Sequence, residues 1–518
     1  MANSSLLLNC EPSAIPLPTV FGAEFLSVKA SLTRNYTAIA PAVANPNHWD
    51  ISGENISFCN VTITHTHPGQ NDLLTTQIWL PISPPWNKRL KTVGGGGWIA
   101  GLGVEVVPQT NGAIAEGYAV VTTNAGVPDV LGDWALTSQG NVNLNALQNF
   151  AHVGLKDATL AAKSVVNSFF GQPPKFSYFS GCSQGGRQGY AFAQRYPDIF
   201  DGIAAAAPGL NYPNFFTSAL YPQQVMHELK YYPHPCELDA IRDAAIKSCD
   251  GKDGLVDGII SHPNSCKFDP FSLVDKPLNC STSTTPGGPK SISKAGAAVA
   301  DAAWNGSKGA KGEFLWYSPG IQAPLTGPAT IVGTTCTPDG KCDALPLPVF
   351  TEWVKYFLLK DKNANYGSNY TRREFERLYD QAVREYRSII GTDWPDLKDF
   401  REAGGKLITY HGTADSVIPY QGTRHYFDAV KALDRNVHDF YRLFEAPGLG
   451  HCGFDIGGYP GGTFNALVRW VEEGVAPELL EARSAVTNKT SILCPYPKIA
   501  QFKGKQGSEY GAKDFVCR

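Results

Sequence analysis

Methionine is scarce in this chain, with two in 518 residues, and surplus charge is scarcer: 44 Lys and Arg stand against 47 Asp and Glu, a formal net charge of −3. That balance gives no footprint for nucleic acid, whose binders present basic faces. No apolar run approaches the roughly 18 residues of a membrane span, so no membrane partner is expected. The stretch Met1–Asn9 lacks a basic n-region and an apolar h-region, and no signal peptide is visible. There is no C-x-x-C pair and no Cys/His cluster with zinc spacing, which removes the common zinc modules. No internal repeat is apparent.

What is present looks secreted. Twelve cysteines, an even number, accompany eight N-x-S/T sequons at Asn3, Asn35, Asn55, Asn60, Asn279, Asn305, Asn369 and Asn488. Disulfides persist in oxidising compartments, and sequons acquire glycans only on a secretory route. The expectation is an extracellular glycoprotein of a eukaryotic secretor, with Met1 standing where a leader was removed. A composition of 43% hydrophobic and 18% charged residues is that of a globular protein. The length suits two domains, or one domain with a large insertion.

Residues 1 to about 88 carry short β-rich runs, Val61–Thr64 and Thr75–Leu80, whose alternation predicts antiparallel strands. Cys10 and Cys59 are the only cysteines before position 182, so their mutual bridge is the simplest pairing. Arg89–Val93 then leads into Gly94-Gly95-Gly96-Gly97. Bare N–H groups after a strand suit an oxyanion site, but equally a flexible loop or a phosphate cradle. A Walker loop is excluded, because no Gly-Lys-Ser/Thr follows. A strand at Tyr118–Thr123, a helix near Val153–Phe169 and strands at Phe176–Phe179 and Asp201–Pro208 alternate as in a parallel sheet. The alternation stops between about 210 and 394 and resumes at Gly405–Tyr410. Roughly 185 residues cannot be a simple connection; they form an inserted domain. The expected division is a discontinuous catalytic domain, 1–209 and 395–518, with a lid at 210–394.

Gly181-Cys182-Ser183-Gln184-Gly185 sits between a strand and a helical pattern. Strand, G-x-S-x-G and helix make the nucleophile elbow of an α/β-hydrolase, the expected fold class. Alone, the motif is as compatible with an ordinary strand-to-helix turn. Asp415 follows a later strand, and His451 lies in the Gly-rich loop Pro447–Gly453 after the next one, Phe440–Phe444. Asp415 could simply cap a turn, and His451 is one of eleven histidines. Yet the order Ser, Asp, His, each after its own strand, is that of an α/β-hydrolase triad. A serine hydroxyl needs an imidazole to take its proton, and a carboxylate to fix that imidazole's tautomer. Cys182 precedes the serine and Cys452 follows the histidine, so a Ser183–His451 contact would bring the two cysteines within bonding reach.

The combination of GCSQGG, HGTADSVIPY, GHCGF, the glycine run and the long insertion resembles the fungal tannase and feruloyl esterase family, which also contains bacterial hydrolases of terephthalate monoesters. The resemblance covers nearly the whole chain. It implies a lid over the serine, a cysteine pair beside the triad, Ser183 as nucleophile, His451 as base and Asp415 as orienting acid. The oxyanion hole would combine Gln184 N–H with Gly95 or Gly96. Serine carboxypeptidases share the triad order, but their elbow typically carries Tyr where Gln184 stands.

In the insertion, Asp250, Asp253 and Asp257 are spaced i, i+3, i+7 with glycines between, a pattern open to hard-cation binding or to a solvated Asp-Gly turn. It is not an EF-hand. The resemblance implies structural Ca²⁺ held by these three carboxylates and the carbonyls of Leu255 and Ile259, with Cys249–Cys266 closing the loop. The remaining expected bridges are Cys236–Cys280, Cys336–Cys342 and Cys494–Cys517. Aromatic residues of the insertion, Phe215, Phe216, Trp304, Trp316, Tyr317, Trp353, Tyr356 and Phe357, offer an apolar slot for phenolic acids, although most are expected to be lid core. The expected protein is a secreted carboxylic ester hydrolase that frees ferulic-type hydroxycinnamates from plant cell-wall esters through an acyl-enzyme, with no redox cofactor. Tannase is the second reading, and a catalytically silent binding protein the third. Its partner is a small or polysaccharide-linked phenolic ester, and the oligomeric state is not legible.

Overall fold

The computed structural model describes residues 9–280, 287–364, 370–453, 455–505 and 508–518. Its centre is a nine-stranded sheet: β1 (Glu24–Ala40), β2 (Ile51–Thr66), β3 (Leu74–Ser83), β4 (Arg89–Val93), β5 (Ala119–Thr123), β6 (Phe176–Cys182), β7 (Gly202–Ala206), β8 (Lys406–Gly412) and β9 (Tyr441–Ala446). They lie in the order β1-β2-β3-β5-β4-β6-β7-β8-β9. The first three and the β3–β5 pair are antiparallel, and every pair from β5 to β9 is parallel. The antiparallel start expected from the alternation of residues 1–88 is therefore present, joined to a parallel sheet.

Helices cover both faces, as parallel strands require. Successive strand residues point to opposite sides. Tyr178 of β6 therefore packs with Phe464 and Leu467 of α7 (Thr463–Glu473), whereas Phe179 next to it packs with Tyr190 and Phe192 of α3 (Gln184–Arg195). Helix α2 (Gly154–Phe170) turns Ala158, Ala162, Val165 and Phe169 onto Ile78, Leu80 and Val121, positions four and three apart that make one apolar stripe. Helix α1 (Val107–Ala115) joins α7 on the other face, and α6 (Tyr420–Leu433) joins α3. The whole is an α/β-hydrolase fold.

Between β7 and β8 the chain leaves the sheet for about two hundred residues, broken by α4 (Tyr212–Ser218), α5 (Arg372–Ile390), shorter helices and two-stranded hairpins. This segment does not close its own core. Trp353 and Phe357 pack against Trp98, and Trp134 and Phe150, from the stretch between β4 and α2, belong to the same buried cluster. Phe215, Phe216 and Trp316 are buried there too, while Trp304, Tyr317 and Tyr356 pack against its edge.

Six disulfides join Cys10–Cys59, Cys182–Cys452, Cys236–Cys280, Cys249–Cys266, Cys336–Cys342 and Cys494–Cys517, and no cysteine among the described residues is free. Of the sequons, Asn35, Asn55, Asn279, Asn305 and Asn488 are exposed and Asn60 is half-buried, while Asn3 and Asn369 lie outside the described residues. No helix among the described residues is long and apolar enough to cross a membrane.

Candidate active site

Strand β6 ends at Cys182 and α3 begins at Gln184, which leaves Ser183 alone to make the turn. Its backbone sits at φ 62°, ψ −120°, a conformation that L residues rarely hold and that typically costs on the order of 1–3 kcal/mol. Three backbone bonds impose it: Ser183 N–H donates to Ala206 C=O at 3.1 Å, and its own C=O accepts from Arg187 and Gly209 at 2.9 and 3.2 Å. The flanking glycines let the chain approach itself. A Cβ on Gly181 would fall 2.7 Å from Gly185 C, so no larger residue fits without displacing the turn.

The glycine run after β4 docks on this elbow. Gly185 N–H donates to Gly95 C=O at 2.9 Å, and a Cβ on Gly94 would lie 2.7 Å from Gly185 Cα. Gly95 N–H donates to Gln188 Oε1 at 3.1 Å and is thereby occupied. Gln188 in turn donates to Ala100 C=O at 2.8 Å. Among the described residues Gly96 N–H has no such partner, and Gly97 is the glycine of the run that lines the cavity of Ser183.

Asp415 follows β8 and is 1% exposed. Its Oδ1 accepts N–H bonds from Val417 and Ile418, both at 2.9 Å, and its Oδ2 accepts from His451 Nδ1 at 2.8 Å. A second histidine, His411, places Nε2–H 3.2 Å from the same Oδ2 and 3.1 Å from Ile418 C=O. Both of those neighbours only accept, so His411 carries its proton on Nε2 and receives the Thr423 hydroxyl on Nδ1 at 2.8 Å. Burial pushes the Asp415 pKa up, but the charge of His451 and the bonds from both histidines outweigh it and hold the carboxyl well below its usual range. For His451 burial opposes the charged form, and Asp415 more than offsets it, so the imidazole pKa is raised. The sequence reading assigned His411 no role, although it stands four residues before Asp415 at the end of the same strand; that spacing was the available signal.

His451 and Ser183 line one cavity of about 190 Å³. Gln184, Gly97 and Tyr212 join them, and Phe215, Phe216, Val349, Phe350, Val417 and Ile418 supply an apolar wall. Ser183 Oγ and His451 form no hydrogen bond among the described residues; such contacts often tighten only around bound substrate. What holds the two loops together is covalent. Cys182 and Cys452, the immediate neighbours, are bonded with their Cα atoms 5.9 Å apart across 270 residues of sequence. Cys452 itself adopts φ 59°.

Beneath the elbow lies Arg187, 0% exposed and without a carboxylate partner among the described residues. It donates to Gln184 Oε1 at 2.7 Å, to Thr392 Oγ1 at 3.0 Å and to Ala151 C=O at 2.7 Å. Burial pulls its pKa down to about 10, still charged at neutral pH. The guanidinium thus pins the first residue of α3 to the inserted segment.

The family description "Tannase and feruloyl esterase" matches residues 59–518. The chain belongs to this family. A probable feruloyl esterase of Arthroderma benhamiae is 37% identical over 98% of this chain and 94% of its own length. The tannase of Aspergillus oryzae is 28% identical over 92% and 90%. A tannin acyl hydrolase from Aspergillus niger, known as a structure, superposes with a TM-score of 0.86 at 27% identity over 100% of this chain and 94% of that one. As a tannase and feruloyl esterase family member the chain is a carboxylic ester hydrolase.

The acidic loop of the inserted segment has an oxygen-only donor set. Asp250 accepts N–H bonds from Asp257 and Gly258, Asp253 from Leu255, and Asp257 from Ile259 and from the Tyr510 hydroxyl at 2.6 Å. Burial raises the Asp257 pKa, and the charges of Asp250 and Asp253 add to it. No Lys or Arg pairs with any of the three among the described residues. Oxygen ligands of this kind are the type that a hard divalent ion takes.

Two outcomes follow from this geometry. Asp415→Asn should lower kcat/KM on an aryl or methyl ester on the order of 10⁴-fold. With neutral His451 as the expected base, activity should fall as pH drops through its pKa; removing the carboxylate should lower that pKa and move the residual acid limb of the kcat/KM profile to lower pH. An unchanged limb would detach Asp415 from the base. Cys182→Ala/Cys452→Ala should give folded protein whose turnover is about 10²-fold lower, since a misplacement near 1 Å has that effect. Full turnover in the double mutant would show that the tether is dispensable.

Proposed function

We propose that this chain is a secreted serine esterase that releases ferulic-type hydroxycinnamic acids from plant cell-wall esters through an acyl-enzyme. Ser183 Oγ attacks the ester carbonyl as His451 Nε2 takes its proton, while Asp415 keeps the other imidazole proton on Nδ1 and stabilises the imidazolium. Gln184 N–H, at the start of α3, and Gly96 N–H receive the oxyanion. The imidazolium then protonates the leaving alcohol, and water, deprotonated by His451, cleaves the acyl-enzyme. His411 is a positioning residue, since its Nε2–H holds Asp415 in place. Six disulfides and the exposed sequons support the secreted reading.

The observation that carries the substrate class is the cavity wall. Six apolar side chains make most of it. A wall this apolar suits the single hydroxyl and the methoxy of a ferulate ring. Galloyl rings carry three adjacent hydroxyls, and each one left unpaired in an apolar wall would typically cost about 1–3 kcal/mol. Tannase is therefore the second reading, favoured by the likeness to the tannase and to the tannin acyl hydrolase. Methyl ferulate should accordingly show a kcat/KM at least about 10-fold above methyl gallate, and Ser183→Ala should abolish both. A preference for gallate would reverse the substrate order, and a variant keeping a tenth of the rate would remove Ser183 as nucleophile.

Calcium in the acidic loop is the companion proposal. Asp250, Asp253 and Asp257, with the carbonyls of Leu255 and Ile259, would hold it, and its contribution is charge neutralisation. Ile259 abuts Gly448 of the histidine loop, so the loop stiffens the wall behind His451. Prolonged chelation, or Asp253→Ala, should lower the melting temperature by several degrees and leave the residual kcat at permissive temperature little changed. Identical melting curves would argue against the ion.

A further inference from the structure

At the start of α2, three metal-binding side chains meet in the core where the catalytic reading has no use for them. His65 is the last residue but one of β2 and His67 follows it by two, just past the strand's end, so both rings project from the same face. Helix α2 lays Asp157, from its first turn, against that face. All three residues are buried, and one ligand atom from each lies within 4.8 Å of the others. None lines the Ser183 cavity.

The protonation pattern is incomplete without a further group. His67 Nδ1–H donates to Asp72 Oδ2 at 2.6 Å, and Asp72 is held by the Asn149 amide at 2.7 Å and by His67 N–H at 2.8 Å. The remaining ring nitrogen, Nε2, is 2.9 Å from Asp157 Oδ2. Lys156 Nζ lies 2.7 Å from the other oxygen, Oδ1. An imidazolium at His67 would satisfy Asp72 and Asp157 together. It would do nothing for His65, which is 0% exposed, stacked on Phe25, and has no partner for either ring nitrogen. A buried polar atom left in that state typically costs about 1–3 kcal/mol.

We propose that His65, His67 and Asp157 form a structural site for a divalent transition-metal ion, with Zn²⁺ as the ion that suits them. Two imidazoles and one carboxylate are zinc ligands, whereas calcium takes oxygen alone. Asp72 on His67 Nδ1 reproduces the carboxylate–histidine arrangement that orients a metal-bound ring. Zinc–ligand distances of about 2.0–2.2 Å require the three atoms to settle roughly 3–3.5 Å apart, a change within reach of side-chain torsions. The ion would tie β2 to α2, 92 positions on (157 − 65), and no reading of contiguous Cys/His spacing detects it, because the third ligand is a distant carboxylate.

The test uses the full chain, stripped with chelator and then titrated with zinc sulfate alone. One equivalent of Zn²⁺ should bind and raise the melting temperature. Cobalt(II) in its place should give visible d–d bands with imidazole coordination. His65→Phe and the milder His65→Gln should lose that equivalent, and Asp72→Asn should weaken it about 10–100-fold, all with Ser183-dependent turnover retained. Asp253→Ala, in the acidic loop, should keep it. No stoichiometric uptake by the wild type, a cobalt spectrum without nitrogen ligands, or an equivalent lost with Asp253→Ala and kept in His65→Gln would each overturn the site. The cobalt spectrum is read on unmutated protein and so decides even if a His65 variant fails to fold.

Discussion

A close approach of two backbones governs the catalytic end of this molecule. The turn at Ser183 and the glycine run after β4 are near enough for Gly185 N–H to bond Gly95 C=O, and Gly94, Gly181 and Gly185 each sit where a Cβ would be 2.9 Å or less from backbone atoms of the other segment or turn. Removing side chains here lets amide groups, which cannot be repositioned by rotamer changes, define where an oxyanion sits. The serine's unfavourable φ and ψ persist because that contact and the bonds to Ala206 and Gly209 over-determine them. The disulfide beside it ties the histidine loop to the elbow across 270 residues of sequence.

Electrostatics around this frame are arranged in opposite senses. Asp415 is a buried anion with four donors, two of them imidazoles, and is stable as a carboxylate. Arg187 is a buried cation with three neutral acceptors and no anion among the described residues, a charge that costs desolvation with little Coulombic return. It lies one helical turn on from Gln184, at the positive end of α3, and so makes the surroundings of Ser183 more electropositive.

Strands from Arg89 to Phe444 were readable because a parallel sheet buries both faces and writes itself as apolar runs. The order Ser183, Asp415, His451 was readable because each follows such a run. That Gly95 N–H is already taken was not, because that depends on where the Gln188 side chain goes. His411 and Arg187 were missed for a related reason: their roles are set by partners, Ile418 C=O and Thr392 Oγ1 among them, that only the folded chain brings near. The His65 and His67 pair was visible as a spacing, but its third member is on a helix almost a hundred residues away.

The core that Trp98, Trp134 and Phe150 share with Trp353 and Phe357 has a consequence for how the enzyme is re-engineered. A cover hinged at its two crossings near 207 and 405 would be a portable module. This one is dovetailed: half of each joint is cut into the catalytic layer between β4 and α2. A chimera that exchanges only 210–394 would bring new knobs to old holes, and its losses in expression and melting temperature would be misread as losses of specificity. The transplantable unit is two pieces of chain, roughly 98–151 together with the insertion, moved as one.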